Sequence, residues 1–436
     1  MKRLIVSALF CATPLTANAA DYSVVHAGRL LATPGGAVTQ NQTVIIKDGR
    51  VDRIENGFTS AGAIGADADD SIAIHDLSNM FVMPGLIDGH VHITSENNPK
   101  ARLQRVEMSE ADRAMMGAGF AKKTLMAGFT TVRDVGAGSS DAIFALRDGI
   151  ARGDVTGPRI FASGATISVT GGHGDGTQGY NDDIANILHS IGVCDGAAEC
   201  RKAVREQVRR GADHIKLTAT AGVLSNTSAG LEQQFFDDEL KAIMDSAHAM
   251  GRKVTAHAHG VNGINAALKA GVDSIEHGTY LDNESIRLFK RNNAYLVPTI
   301  LAGVTVAEWA ADPNSFLLPP QRAKAAEVGP KMLDMARRAH EGDVKIAFGT
   351  DTGVSKHGEN AREFALLVQA GLSPMEAIHS ATIAIADNMG KSDVLGSIAP
   401  GKYGDLVAVE GNPLSDITEL EDIDFVMKEG VVYKTK

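Results

Sequence analysis

The feature that most restricts this chain is an alternation. Between residues 81 and 350, short apolar stretches recur eight times, and helical periodicity fills the intervals. The apolar stretches are Phe81–His92, Thr130–Val135, Arg159–Ala165, His214–Thr220, Lys253–His259, Ser274–Gly278, Tyr295–Ile300 and Lys345–Thr350. Helical spacing is clearest over Ala114–Ala127, Ala198–Arg210, Phe236–Met250, Gly263–Ala270 and Gln321–Glu341. Strands separated by helices predict parallel βαβ units, because a parallel neighbour needs a long crossover. Eight such units predict an α/β chain with a closed (β/α)8 TIM barrel, assigned to residues 81–395. An open doubly wound sheet is the competing architecture. It would carry a Gly-rich phosphate loop after its first strand, and none is there.

The two ends read differently. Residues 20–80 hold short strands at Tyr22–His26, Thr43–Lys47 and Val51–Glu55, with a turn at Asp48-Gly49. Residues 396–436 repeat the pattern at Leu406–Val409 and Phe425–Lys428, with a turn at Glu429-Gly430. Strands this short make no core alone, so the ends are expected to pair into one small, discontinuous β-sandwich. Residues 1–19 read as a signal peptide. Lys2 and Arg3 precede an apolar run, and Ala17-Asn18-Ala19 offers small residues for cleavage after Ala19 or Ala20. The run is too short to span a membrane, and a periplasmic or secreted location is expected. Cleavage removes Cys11 and leaves Cys194 and Cys200. In an oxidising compartment these predict a local disulfide, with two free thiols as the alternative. The formal charge is −11, and −13 without Lys2 and Arg3, which opposes a nucleic-acid partner.

Barrel enzymes place their chemistry at the C-terminal ends of the strands. The first ends in Asp88-Gly89-His90-Val91-His92. Residues i and i+2 share a face of a strand, so His90 and His92 point together, and two imidazoles beside a carboxylate suit a Zn-type ion. His257-Ala258-His259 repeats the spacing on the fifth. Glu276-His277-Gly278 ends the sixth and Gly349-Thr350-Asp351-Thr352 the eighth. On the fourth, Lys216 interrupts an apolar stretch, where an unpaired charge is costly. It either snorkels or pairs with a carboxylate, or its neutral amine takes up carbon dioxide to give a carbamate that bridges two cations. His173 lies in a Gly-rich loop after the third strand, as a substrate contact or a loop-stabilising residue. His259 is expected to contact substrate rather than to ligate. His214 is expected to be structural, and Arg133 and Asp134 to form an ion pair.

Several longer motifs resemble one family. Pro84-Gly85-Leu86-Ile87-Asp88-Gly89-His90-Val91-His92 is similar to the opening strand of the amidohydrolase superfamily. Gly128–Asp134, Thr170–Gly174, Thr255–Gly260, Ile275–Gly278 and Gly396–Leu406 narrow the resemblance to its imidazolonepropionase-like branch. The match there is to binuclear Xaa-Pro and Xaa-Arg/Lys dipeptidases, carboxypeptidase-like amidases and ochratoxin-hydrolysing amidohydrolases. This implies two divalent ions, with Zn2+ fitting the mixed ligands. It implies that His90 and His92 bind one ion, that His257 and His277 bind the other, and that carbamylated Lys216 bridges both. Asp351 would ligate the first ion and act as general base, with His259 aiding catalysis. The implied substrate is a small N-acyl amino acid or dipeptide, and the implied assembly a homo-oligomer. A cyclic-amide hydrolase or deaminase, and a metal-binding protein without turnover, are the rival readings. Imidazolonepropionase itself resembles a mononuclear enzyme without the bridging lysine, so Lys216 points away from that activity.

Overall fold

The computed structural model describes residues 19–136, 140–227 and 230–436. The expected leader therefore lies outside the described residues, but for its last residue. Strands β1 (Asp21–Leu30), β2 (Thr39–Lys47), β3 (Arg50–Asn56) and β4 (Ser71–Pro84) open the fold. The barrel strands are β5 (Leu86–Val91), β6 (Phe129–Asp134), β7 (Arg159–Ala162) and β8 (Ile215–Thr218). They continue with β9 (Val254–Ala258), β10 (Ser274–His277), β11 (Tyr295–Val297) and β12 (Lys345–Ile346). Strands β13 (Leu406–Val409), β14 (Phe425–Lys428) and β15 (Val431–Thr435) finish the chain.

The two ends pair, as their short strands require. They form one seven-stranded sheet in the order β15-β14-β13-β4-β1-β2-β3. The sheet curls over a shared core that includes Val25, Val44, Val82, Leu406, Phe425 and Met427. Curling brings the Asp48-Gly49 and Glu429-Gly430 turns together. Gly404 links them, donating to Gly49 O at 2.8 Å and accepting from Gly430 N at 3.0 Å.

All eight anticipated barrel strands form. The stretch expected as one strand from Phe81 to His92 is two, however, divided at Gly85. Phe81–Pro84 stay in the terminal sheet against β13, and pairing with β6 begins at Leu86. Within the barrel, β5-β6-β7 and β8-β9-β10-β11-β12 are parallel runs. Two seams close the ring. At one, Ile167 N donates to Lys216 O at 2.8 Å, and Thr218 N to Ile167 O at 3.0 Å. At the other, Gly89 N donates to Phe348 O at 3.0 Å and Asp351 N to His90 O at 2.7 Å. This second seam sets the ends of the first and last barrel strands side by side.

The expected helix Gln321–Glu341 is also two, Pro319–Val328 and Met332–Glu341, separated by a tight turn at Gly329–Lys331. Pro330 lacks the N–H that a continuous helix needs there. Cys194 and Cys200 are joined by a disulfide with their Cα atoms 5.0 Å apart. It ties the loop after β7 to the first turn of helix Ala197–Arg209. No helix among the described residues is long and apolar enough to cross a membrane.

Candidate metal centre

The strand ends gather the expected residues into one cluster. His90 comes from β5, Lys216 from β8, His257 from β9 and His277 from β10, while His92, His259 and Asp351 follow strands β5, β9 and β12. Ligand atoms of His90, His277 and Asp351 all lie within 4.8 Å of one another. So do those of His257, His259 and His277, so His277 belongs to both groups. The His173 ring is 4.2 Å from the His257 ring.

Most of these imidazoles are held by one nitrogen only. His90 Nδ1 lies 2.7 Å from Glu276 Oε2, and His92 Nδ1 lies 2.6 Å from Gly136 O. His277 Nδ1 meets Thr299 Oγ1, and His259 Nδ1 meets Thr279 Oγ1, both at 2.7 Å. A carboxylate or carbonyl beside Nδ1 requires the proton there, which leaves the Nε2 lone pair free to ligate. His257 is turned the other way, with Nε2 at 3.4 Å from Ala221 O.

This donor set fits a cation. Asp351 Oδ1 is buried and has no hydrogen-bond partner. It sits 3.2 Å from His92 Nε2 and 3.4 Å from His90 Nε2. Lone pairs of three donors therefore converge on one buried place, and an unsatisfied buried acceptor is costly. A divalent ion resolves this, and a mixed imidazole and carboxylate set suits one such as Zn2+.

The electrostatics agree. Burial alone would push Asp351 up, but positive charge on the His90 and His92 rings beside it holds its carboxyl well below the usual carboxylate range, the part a bound cation would otherwise play. Burial draws the Lys216 amine down to about 8, with Glu276 and Asp351 pulling it back up. Burial also lowers His259 and His173 to about 3, so both rings are neutral near pH 7.

A firm scaffold lies behind the donors. Asp88 accepts from His90 N at 3.0 Å, Thr350 N at 3.1 Å, Thr350 Oγ1 at 2.6 Å and Asn360 Nδ2 at 2.7 Å. It thus pins the backbone on both sides of the second seam. Three residues of the site adopt left-handed backbone, His277 (φ 72°), Thr299 (φ 50°) and Asp351 (φ 58°). Such conformations persist only where their surroundings impose them, and they concentrate at functional sites.

Arg133 and Asp134 do not pair with each other. Neighbours on a strand face opposite ways. Arg133 reaches Glu276 Oε1 at 3.1 Å, while Asp134 accepts from the backbone N–H of Ile93 at 2.8 Å and of Gly136 at 3.2 Å. His214 is buried beside this network. Glu276 was visible in the sequence only as a neighbour of His277, yet it is the carboxylate behind His90. Thr279, Thr299 and Ser225, which hold His259, His277 and His173, carried no sequence signal.

Comparison with known proteins matches residues 81–433 to the amidohydrolase family. A solved Xaa-Pro dipeptidase with methionine in its active site is 42% identical, with a TM-score of 0.88, covering 95% of this chain and 100% of that one. A prolidase complexed with N-methylphosphonate-L-proline is 30% identical, with a TM-score of 0.85, covering 95% of this chain and 100% of that one. The ochratoxinase of Aspergillus niger is 32% identical over 374 residues, which is 81% of this chain and 75% of the relative.

Proposed function

The chain belongs to the amidohydrolase family and is a hydrolase acting on amide bonds, and from that premise we propose that it cleaves N-acyl amino acids and dipeptides at a two-metal centre. The observation that carries this reading is the pair of three-residue donor groups overlapping at His277. On this reading His90, His92 and Asp351 would hold one ion, and His257 and His277 would hold the other. Lys216 would be a ligand shared by both, as a carbamate formed when its amine nitrogen adds to the carbon of CO2 and loses a proton. Bound there, two divalent ions such as Zn2+ supply an activated water at neutral pH and an electrophile for the scissile carbonyl.

The chain's own groups do the rest. Asp351 accepts the proton of the attacking water and delivers it to the leaving amine nitrogen. His259, neutral and anchored at Nδ1 by the Thr279 hydroxyl, donates its Nε2–H to the scissile carbonyl and orients it. His173, on the far side of His257, contacts the remainder of the substrate. The relatives that are an Xaa-Pro dipeptidase, a prolidase and an ochratoxinase favour an amide next to a C-terminal amino acid, ochratoxin included.

Elemental analysis paired with an amidase assay tests the reading. It expects about two ions per chain together with cleavage. About one ion per chain would remove the Lys216 bridge and favour a mononuclear cyclic-amide hydrolase or deaminase. We further read the protein as periplasmic or secreted, and as a homo-oligomer. Exported material should begin at Ala20 or Asp21, and light scattering should give more than one chain's mass.

A further inference from the structure

Lys324 carries a buried charge that the reaction does not use. It lies on helix Pro319–Val328 and is 8% exposed. Its Nζ donates to the carbonyls of Gly222 and Ser225, both at 2.9 Å, and of Thr227 at 3.1 Å. One turn earlier, Gln321 Nε2 donates to Leu224 O at 2.7 Å. A single helix thus grips four carbonyls of the loop that follows β8. Burial pulls the ammonium down to about 8, and no carboxylate offsets it.

The gripped loop touches the candidate site through one side chain. Ser225 Oγ lies 2.7 Å from His173 Nδ1. The His173 ring also rests against Gly222, where an added Cβ would fall 2.3 Å from His173 Cε1. Besides the His257 ring, two loop residues hold the His173 ring, through a hydroxyl and a missing side chain. Both belong to the stretch that Lys324 holds.

We propose that Lys324 is a positioning residue, which clamps residues 222–227 and so fixes the His173 ring for substrate binding. The proposal rests on the reading that His173 contacts substrate. A lysine suits the task because its ammonium donates in three directions from one point, whereas an arginine presents a planar fork. Of the proposed metal donors, His90, His92 and His277 have anchors of their own in Glu276, Gly136 and Thr299, and only His257 meets the loop, at Ala221 O, one residue before the clamped stretch. Releasing the loop should therefore reach substrate affinity before it reaches the metals.

A double-mutant cycle on the metal-loaded enzyme tests this, with Lys324→Met and His173→Ala and methionyl-proline as the probe. Each single variant should raise KM roughly tenfold, the scale of a lost charge-assisted hydrogen bond, with kcat and metal content nearly unchanged. The double variant should be no worse than His173→Ala, because both changes remove one interaction. Hydrogen exchange over residues 222–227 should rise in Lys324→Met. Additive effects, or unchanged exchange, would overturn the clamp while leaving the His173 contact standing. An unchanged KM in His173→Ala would instead overturn the contact itself, and the proposal with it. Should Lys324→Met fail to fold, Lys324→Arg carries the same cycle.

Discussion

The two sides of the histidine cluster are held by different chemistry. On the side of His90 and His92, the ring anchors are a buried carboxylate and a backbone carbonyl. Glu276 is locked in turn by Arg133, and Arg133 by Asn388 Oδ1 at 2.6 Å. On the side of His257 and His259, the anchors are a threonine hydroxyl and one long carbonyl contact, with Ser225 behind His173. A carboxylate behind an imidazole raises its basicity and fixes its tautomer. A hydroxyl rotates and can either donate or accept. On the two-metal reading proposed above, the first side should therefore hold its ion more firmly, and the second should adjust around what enters the mouth.

Breaking the first side should have the larger consequences. Asp351→Asn removes the proton acceptor and should lower kcat by about 10²–10⁴-fold. Asparagine tolerates the left-handed backbone at this position, so the fold should survive. Steady-state kinetics with elemental analysis checks this, and retained turnover would reject the base assignment. Glu276→Gln strips the buried guanidinium of Arg133 of its counter-charge, which should cost about 3–5 kcal/mol of stability. It should also weaken metal binding about 10–100-fold. Urea unfolding and a metal titration read the two effects separately.

Removing metal sharpens the contrast. A chelator should strip the ion on the His257 side first, giving two phases of loss rather than one. Loss in a single phase would mean that the two sides are equally firm. Thr279→Ala should do least, at about 0.5–1.5 kcal/mol, seen as a modest fall in kcat/KM with metal content unchanged. Should Thr279→Ala match Glu276→Gln in metal affinity, the distinction between the sides fails.

The barrel and its donors were legible because their signals are local. An apolar run of four to eight residues, with a histidine two places from another, says what it is without knowledge of its neighbours. The partners behind the donors were not legible, because contacts between distant strands decide them. Arg133 and Glu276 stand 143 positions apart, while Asp134, adjacent to Arg133, looked like the natural partner. The division at Gly85 was hidden for a related reason. Phe81–Pro84 and Leu86–Val91 are both apolar and extended, and only pairing with β13 or β6 tells them apart. Lys324 carries no sequence signal of its own, since its loop partners lie some hundred positions earlier.

The left-handed backbone at His277 and Asp351 has an evolutionary consequence. Each residue occupies a conformation that costs an ordinary side chain roughly 1–2 kcal/mol and glycine almost nothing. Glycine would relieve that backbone strain at both places, but it would also remove the two side chains on which the proposed metal centre depends. Laboratory evolution of this chain would therefore need activity screened beside stability in every round, since relaxed backbone and retained side chains pull these two positions in opposite directions.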